Sequence, residues 1–485
     1  MARSLTPGSV SRLQTYEPII AQARQIRNDT LYWVLTMMKG HVKIELLDHK
    51  TGERKITEHE NMLTNALAYR AGIDANDNLG LYASEYSLLP LATKGLGGLL
   101  LFDGTLTEDA GNIHFPMNAH LTGCAGRGTG NSASNLQGTI DSTASKYENG
   151  KYTTVWNFLP NQANGVIAAL ALTHARAGEN PFHMYRANAW NRISTGYRHF
   201  VAMDPDTDTA YFSYNYQANS TINFYKQKLS RHLLRVNSPY MGTEQAALAY
   251  SLSGETITDR NYWDVTPDYD GYIYLCATQG NQTGNATVYL RRLKASADHF
   301  SLEEDTEFRQ ALTLPEVYLY PSSQSKNNHT MALVVSHGYL YALSYDRKSV
   351  YRISLVDTSQ IRQITPSIDR FQTMDCGIYP HRGSGIWTEL CYQVTNATGG
   401  VETRRTRAIL YEDGECRYDL GSYTTGSWNM KDFCGYVTDD LRMFSSYSVY
   451  FDACQNYIGT ICNLEEPITK TDTQSLKITY SITDG

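Results

Sequence analysis

Five times between Ala202 and Val449 the chain passes through one sequence figure, and a chain built on such a figure has few folds open to it. AMDPDTDTAYFSYN (202–215), VTPDYDGYIYLCAT (265–278), VVSHGYLYALSY (334–345), PHRGSGIWTELCYQV (380–394) and YVTDDLRMFSSYSV (436–449) each run from an apolar stretch through a turn of Asp, Gly or Ser into an aromatic-rich strand. Three continue into a further strand, in TVYLRRLKAS, SVYRISLVD and TRRTRAILYEDG. The aromatic-rich second strands begin near residues 211, 272, 339, 387 and 442. Repeats of roughly 40 to 50 residues with four strands each mark a β-propeller, and longer steps carry longer loops. The expectation is a mainly β protein with a C-terminal β-propeller-like domain of about five blades. A β-sandwich or an irregular β-domain is the alternative.

Turn chemistry accounts for the acidic run Asp204-Pro205-Asp206-Thr207-Asp208. A calcium loop would need glycine at its sixth position and glutamate at its twelfth, where this chain has Thr209 and Asn215. Asp268-Tyr269-Asp270-Gly271 and Ser336-His337-Gly338 read as hairpin tips of the same kind, because Asp and Gly accept turn dihedrals. In a propeller the start of each inner strand lines one end of the central channel. On the repeat alignment those positions hold His199, Trp263 with Asp264, His329, and Trp428 with Asn429, the candidate glycan-binding residues. The chain carries 36 Tyr, 13 Phe and 6 Trp. Most of the tyrosines suit half-buried strands, and some aromatic faces could stack on sugar rings or on a partner protein.

The remainder divides into an α+β region (1–94), a Gly/Ser/Asn-rich joining region (95–185), the propeller-like domain (186–455) and closing strands (456–485). Glu17 to Met38 has helical spacing. Val42 to Glu60 alternates as a hairpin turning at Lys50, Thr51 and Gly52, and Asn61 to Gly72 again has helix-like spacing. Residues 103–150 hold few large apolar residues and are expected at the surface or in a subunit contact. At the C-terminus Leu476, Ile478, Tyr480 and Ile482 alternate with Lys477, Thr479, Ser481 and Thr483 as a half-buried strand. It needs a sheet built earlier in the chain or on a neighbouring subunit.

Enzyme motifs are weak. LLLFDGTLTED (99–109) is similar to the phosphatase loop of haloacid dehalogenases, but that mechanism needs a nucleophilic aspartate two positions before Asp103, where Leu101 stands. Asp103-Gly104 is then a turn after an apolar strand. Gly126, Gly128 and Gly130 complete no nucleotide-binding pattern. No G-x-S-x-G elbow or H-E-x-x-H helix occurs, and no cofactor or metal site is expected. The eight cysteines form no C-x-x-C pair and read as free core thiols. Net charge is -7, with no basic footprint for nucleic acid. Apolar runs such as Val166 to Leu172 fall far short of the roughly 20 residues of a membrane span. The first twenty residues lack an apolar h-region, so neither membrane insertion nor an export signal is expected.

NYIGTICNLEEPITKTDTQSLKITYSITDG (456–485) closely resembles the closing strands of tail and fibre proteins of tailed bacteriophages. VKIELLDHKTGERKITEHENMLTN (42–65) is similar to the N-terminal part of many phage tail proteins. GLGGLLLFDGTLTEDAGNIHFP (95–116) and NQANGVIAALALTH (161–174) resemble a joining region in predicted tail proteins. The resemblance implies a virion tail component, assembled in the host cytoplasm, that contacts other phage tail proteins. It further implies a homo-oligomer, a trimer by preference. A tail fibre or receptor-binding appendage recognising a host surface polysaccharide without catalysis is the first expectation. A structural tail or baseplate component and a polysaccharide depolymerase on the same scaffold are the alternatives.

Overall fold

The computed structural model describes residues 38–66, 91–128, 130–182, 198–204, 209–215, 221–228, 244–251, 264–280, 284–295, 302–318, 332–420, 435–439, 441–445 and 451–484, and the protein is mainly β. The chain opens with β1 (Met38–Asp48), β2 (Arg54–Leu63), β3 (Gly98–Phe102), β4 (Leu121–Ala125), β5 (Thr139–Ile140), β6 (Lys146–Glu148), β7 (Lys151–Phe158) and β8 (Gly165–Thr173). A five-residue helix, α1 (Ala175–Glu179), follows. Four-stranded meanders come next: β9 (Arg198–Asp204), β10 (Thr209–Asn215), β11 (Thr221–Lys228) and β12 (Glu244–Ser251) form the first sheet. β13 (Asp264–Pro267), β14 (Tyr272–Gly280), β15 (Asn285–Ala295) and β16 (Leu302–Pro315) form the second. β17 (Leu333–Ser336), β18 (Tyr339–Leu343), β19 (Val350–Ser354) and β20 (Ile361–Ile364) form the third. β21 (Phe371–Pro380), β22 (Ile386–Thr395), β23 (Val401–Leu410) and β24 (Cys416–Arg417) form the fourth. The described part of the fifth is β25 (Gly435–Val437), β26 (Arg442–Ser445) and β27 (Phe451–Ala453). β28 (Thr460–Lys470) and β29 (Gln474–Asp484) end the chain.

β1 to β8 join β28 and β29 in one ten-stranded sheet of order β4-β3-β8-β28-β2-β1-β29-β7-β5, with β6 also on β7. Hydrogen bonds from Cys124 N to Leu136 O (3.0 Å) and from Gly138 N to Cys124 O (2.8 Å) tie the segment entering β5 back to β4. The sheet thereby curls into a nearly closed barrel. Strands from the expected attachment, joining and closing segments all lie in it. The terminal strand β29 finds both neighbours within the chain, β1 on one side and β7 on the other. Its pairing calls for no second subunit.

Period-two geometry decides what fills the barrel. Val42, Ile44 and Leu46 of β1, Trp156 and Phe158 of β7, and Leu476, Ile478, Tyr480 and Ile482 of β29 point into one interior cluster. The outer face of β29 is polar, with Lys477, Thr479, Ser481 and Thr483. β3 and β8 read differently in sequence because both of their faces are buried. Leu99, Leu101, Leu170 and Leu172 face the interior, while Leu100, Phe102, Ala169 and Ala171 face outward into a second core. That second core includes Val334 and Tyr341 of the third sheet, Trp387 and Leu390 of the fourth, and Val437 of the fifth. Barrel and meanders therefore share buried side chains.

Within 103–120 the buried apolar residues lie in this contact, which corrects the surface expectation in part, while 107–109, 117 and 118 are exposed. Leu106, Ile113 and Ala119 are buried, and Phe115 packs on Phe102 with ring centroids 6.1 Å apart. Few apolar residues suffice because the barrel and the sheets cover them from two sides. Asn61 to Leu63 continue β2 rather than starting a helix, drawn into the ladder by β28 at Met62 and Leu63. Met38 is already strand, and the rest of both expected helices, apart from residues 64–66, lies outside the described residues.

Helix α1 packs on the barrel through glycine. A Cβ on Gly178 would stand 2.2 Å from Ala125 O and 2.4 Å from Gly98 Cα. Both obstacles are backbone and cannot rotate away. Gly178→Ala is expected to lower stability by about 1–3 kcal/mol, the usual cost of overpacking. A urea midpoint equal to that of the unsubstituted protein would refute this close approach.

Candidate functional site

The first strands of the five sheets follow one another around a ring: β9 lies beside β13, β13 beside β17, β17 beside β21, β21 beside β25, and β26 returns to β9. The turns that leave β13, β17 and β21 come together beside β9 and β25. There the structure assembles a cluster to which every sheet contributes: Phe200, Tyr269, His337, Arg382 and Tyr436.

Asp268 anchors it. Its carboxylate, only 2% exposed, accepts from Tyr269 N (2.8 Å) and from two amides of the next sheet, His337 N (2.7 Å) and Gly338 N (2.9 Å). Those amides are free to point at it because His337-Gly338 is a two-residue hairpin turn with φ of 53° and 76°. This is the conformation such tight turns demand and glycine favours. Thr266 repeats the link, its hydroxyl accepting from Val335 N at 3.2 Å. Burial raises the Asp268 carboxyl above the usual carboxylate range, against the opposing pull of the three amides.

Tyr269 is enclosed by rings and charge. It stacks on His337 at 5.1 Å and on Tyr436 at 4.7 Å, with interplanar angles of 20° and 13°. Tyr436 continues the row to Phe200 at 5.2 Å, joining the second, fifth and first sheets. The Arg382 guanidinium lies 4.6 Å from the Tyr269 centroid, donates to Val437 O at 2.9 Å and pairs with the exposed Asp439. Desolvation holds both phenols above their ordinary pKa, so they are neutral at physiological pH. His381 O accepts from His337 Nε2 at 3.1 Å, while His381 Nδ1 meets Ser384 O at 2.9 Å. Burial pushes the His381 imidazole down to about 4, so it stays uncharged.

This arrangement can lock five sheets and present a polar rim of Asp270, Arg382 and Asp439. Its aromatic faces are occupied by one another, so a sugar ring would find no open stacking face on Tyr269. Among the described residues no group of three or more His, Cys, Asp or Glu is arranged to hold a metal ion. The six cysteines whose side chains are described are buried, and desolvation pushes Cys416 and Cys462 up to about 12, which keeps these two thiols unreactive.

Of the candidates chosen from sequence, two fall within the described residues. His199 is in β9 opposite Ser213, and Asp264 begins β13 opposite Cys276, both described through the backbone alone. Trp263, His329, Trp428 and Asn429 lie outside the described residues. Sequence reasoning singled out Asp268-Tyr269-Asp270-Gly271 and Ser336-His337-Gly338 as turns but not as one site. Their parallel positions in successive repeats were the available signal.

No protein-family profile matches the chain, and no curated protein matches it. Solved structures similar to it include a prolyl oligopeptidase B from Galerina marginata, at 9% identity and TM-score 0.25, covering 79% of this chain and 48% of that one. The chain thus spans about half the length of that peptidase. A glucose dehydrogenase is similar at 12% identity and TM-score 0.23, covering 57% of this chain and 99% of that one. An α-L-arabinofuranosidase from Podospora anserina is similar at 12% identity and TM-score 0.22, covering 59% and 95%. Scores this low leave the likeness too loose to bear on fold or function.

Proposed function

We propose that the chain is a tail protein of a tailed bacteriophage, a fibre or receptor-binding appendage that recognises a host surface glycan without catalysis. One observation carries this reading. The four stretches that resemble phage tail proteins are far apart in sequence, yet they supply β1, β2, β3, β8, β28 and β29 of a single barrel sheet. The meanders between β8 and β28 carry no such resemblance. A shared attachment module holding a variable recognition insert would have this pattern.

The insert is then a five-bladed β-propeller, a reading supported by the ring order of the first strands and by the turn cluster drawn from all five sheets. Fold alone does not assign function. A glycan would be read at one of its axial ends, by the polar rim at Arg382 or by the inner-strand starts that hold His199, Trp263, Asp264, His329, Trp428 and Asn429. The trimer belongs to this proposal on the resemblance alone, since β29 is fully paired within one chain.

Mass spectrometry of purified particles is expected to find the chain, and the purified protein is expected to compete with phage for adsorption to host cells. Absence from particles overturns the assignment. Presence without competition moves it to a structural tail or baseplate component, and cleavage of host polysaccharide moves it to a depolymerase.

A further inference from the structure

His120 stands where the barrel meets the fourth sheet, between two carboxylates that come from opposite sides of the joint. On the barrel side Asp103, just after β3, is bound to it through the backbone: Asp103 N donates to His120 O at 3.0 Å, and Asp103 Oδ1 accepts from His120 N at 2.6 Å. On the sheet side Glu415 precedes β24. His120 Nδ1 lies 3.3 Å from Glu415 Oε2 and 3.5 Å from Asp103 Oδ2. The imidazole stacks on Tyr411 with centroids 3.9 Å apart. Asp413 and Arg417 complete the charged surroundings, Arg417 pairing with Glu415 at 2.8 Å.

Both carboxylates face the same nitrogen, which carries at most one hydrogen whether the ring is neutral or charged, so what protonation adds here is charge. With the ring charged, its positive charge offsets the repulsion between Asp103 and Glu415; without that charge the two carboxylates confront each other. We propose that His120 is a proton-operated latch between the barrel and the fourth sheet, closed when the imidazole is charged and loosened when it is neutral. The ring is 27% exposed, so solvent protons reach it.

Glu415, ahead of Asp103, raises the His120 pKa against the opposing effect of burial, and His120 in turn lowers that of Glu415. A histidine whose folded pKa is raised contributes its stability below its unfolded value and loses it as pH rises through the folded one. The lowered Glu415 contributes above its own unfolded value and is lost in stronger acid. The latch is therefore tightest between the ordinary glutamate and histidine pKa values, near 4.5 and 6.5, and opens toward alkaline pH.

The test uses the full chain with labelled histidine, followed by NMR titration, and hydrogen exchange at pH 5.5 and 8.5 corrected for intrinsic rates. His120 is expected to titrate above 6.5, and segments 103–120 and 411–417 to open more at pH 8.5, by about tenfold for each unit by which the pKa is raised. Glu415→Gln should bring the His120 pKa down and flatten the exchange difference, and His120→Gln should remove the difference altogether. A His120 titrating at or below 6.5, or a pH dependence that survives Glu415→Gln, overturns the latch. Glu415→Gln carries the test by itself should His120→Gln fail to fold.

Discussion

Truncation after Thr473 is expected to leave no soluble, folded protein. β29 is an interior strand of the barrel, held along its length by β1 from Met38↔Asp484 to Asp48↔Gln474 and by β7 from Lys151↔Thr483 to Phe158↔Leu476. Its loss removes Leu476, Ile478, Tyr480 and Ile482 from the interior cluster. Each buried apolar side chain contributes about 1.5–3 kcal/mol, so the four together supply roughly 6–12 kcal/mol. That is comparable with the whole stability of an ordinary domain, about 5–15 kcal/mol. β1 and β7 would also become facing unpaired edges, which invite aggregation. Soluble expression of the truncated chain with a cooperative thermal transition would show that the barrel does not depend on β29.

What could be read in the sequence depended on whether the deciding contact was local. The aromatic-rich second strands expected near 211, 272, 339, 387 and 442 begin at Thr209, Tyr272, Tyr339, Ile386 and Arg442, because each hairpin carries its own turn residues and alternation. The hairpin through Lys50-Thr51-Gly52 and the final alternating strand were legible for the same reason. The buried residues of 103–120, such as Leu106 and Ile113, were not foreseen because their burial comes from the barrel on one side and from sheets hundreds of residues later on the other. Leu99 to Phe102 showed an apolar run but not its division between two cores, which only the topology supplies. The cluster of Phe200, Tyr269, His337, Arg382 and Tyr436 was hidden more deeply. Each member is an ordinary turn or strand residue in its own repeat, and the site exists only once five repeats close on one another.

Asp268→Ala should be the most damaging single substitution at that cluster, because the carboxylate serves amides on two sheets. Removing it orphans the N–H groups of Tyr269, His337 and Gly338. Each buried donor left unpaired costs about 1–3 kcal/mol, and partial access of water to the turn keeps the expected total near 3 kcal/mol. The wild-type carboxylate also carries a burial cost of its own, and its raised pKa fixes the sign of the pH dependence. A carboxyl group with a raised folded pKa contributes stability below its unfolded value, near 3.8, and loses it as pH climbs through the raised one. Asp268→Asn retains one acceptor, does not titrate, and sets an NH2 against one of the amides. It should therefore be milder than alanine, and the advantage of the wild type over it should narrow as pH rises from about 4 to 7. Chemical unfolding at several pH values, with hydrogen exchange of residues 336–339, reads both effects. An alanine variant within about 0.5 kcal/mol of wild type, the scatter of ordinary surface substitutions, would mean that Asp268 does not hold the second and third sheets together.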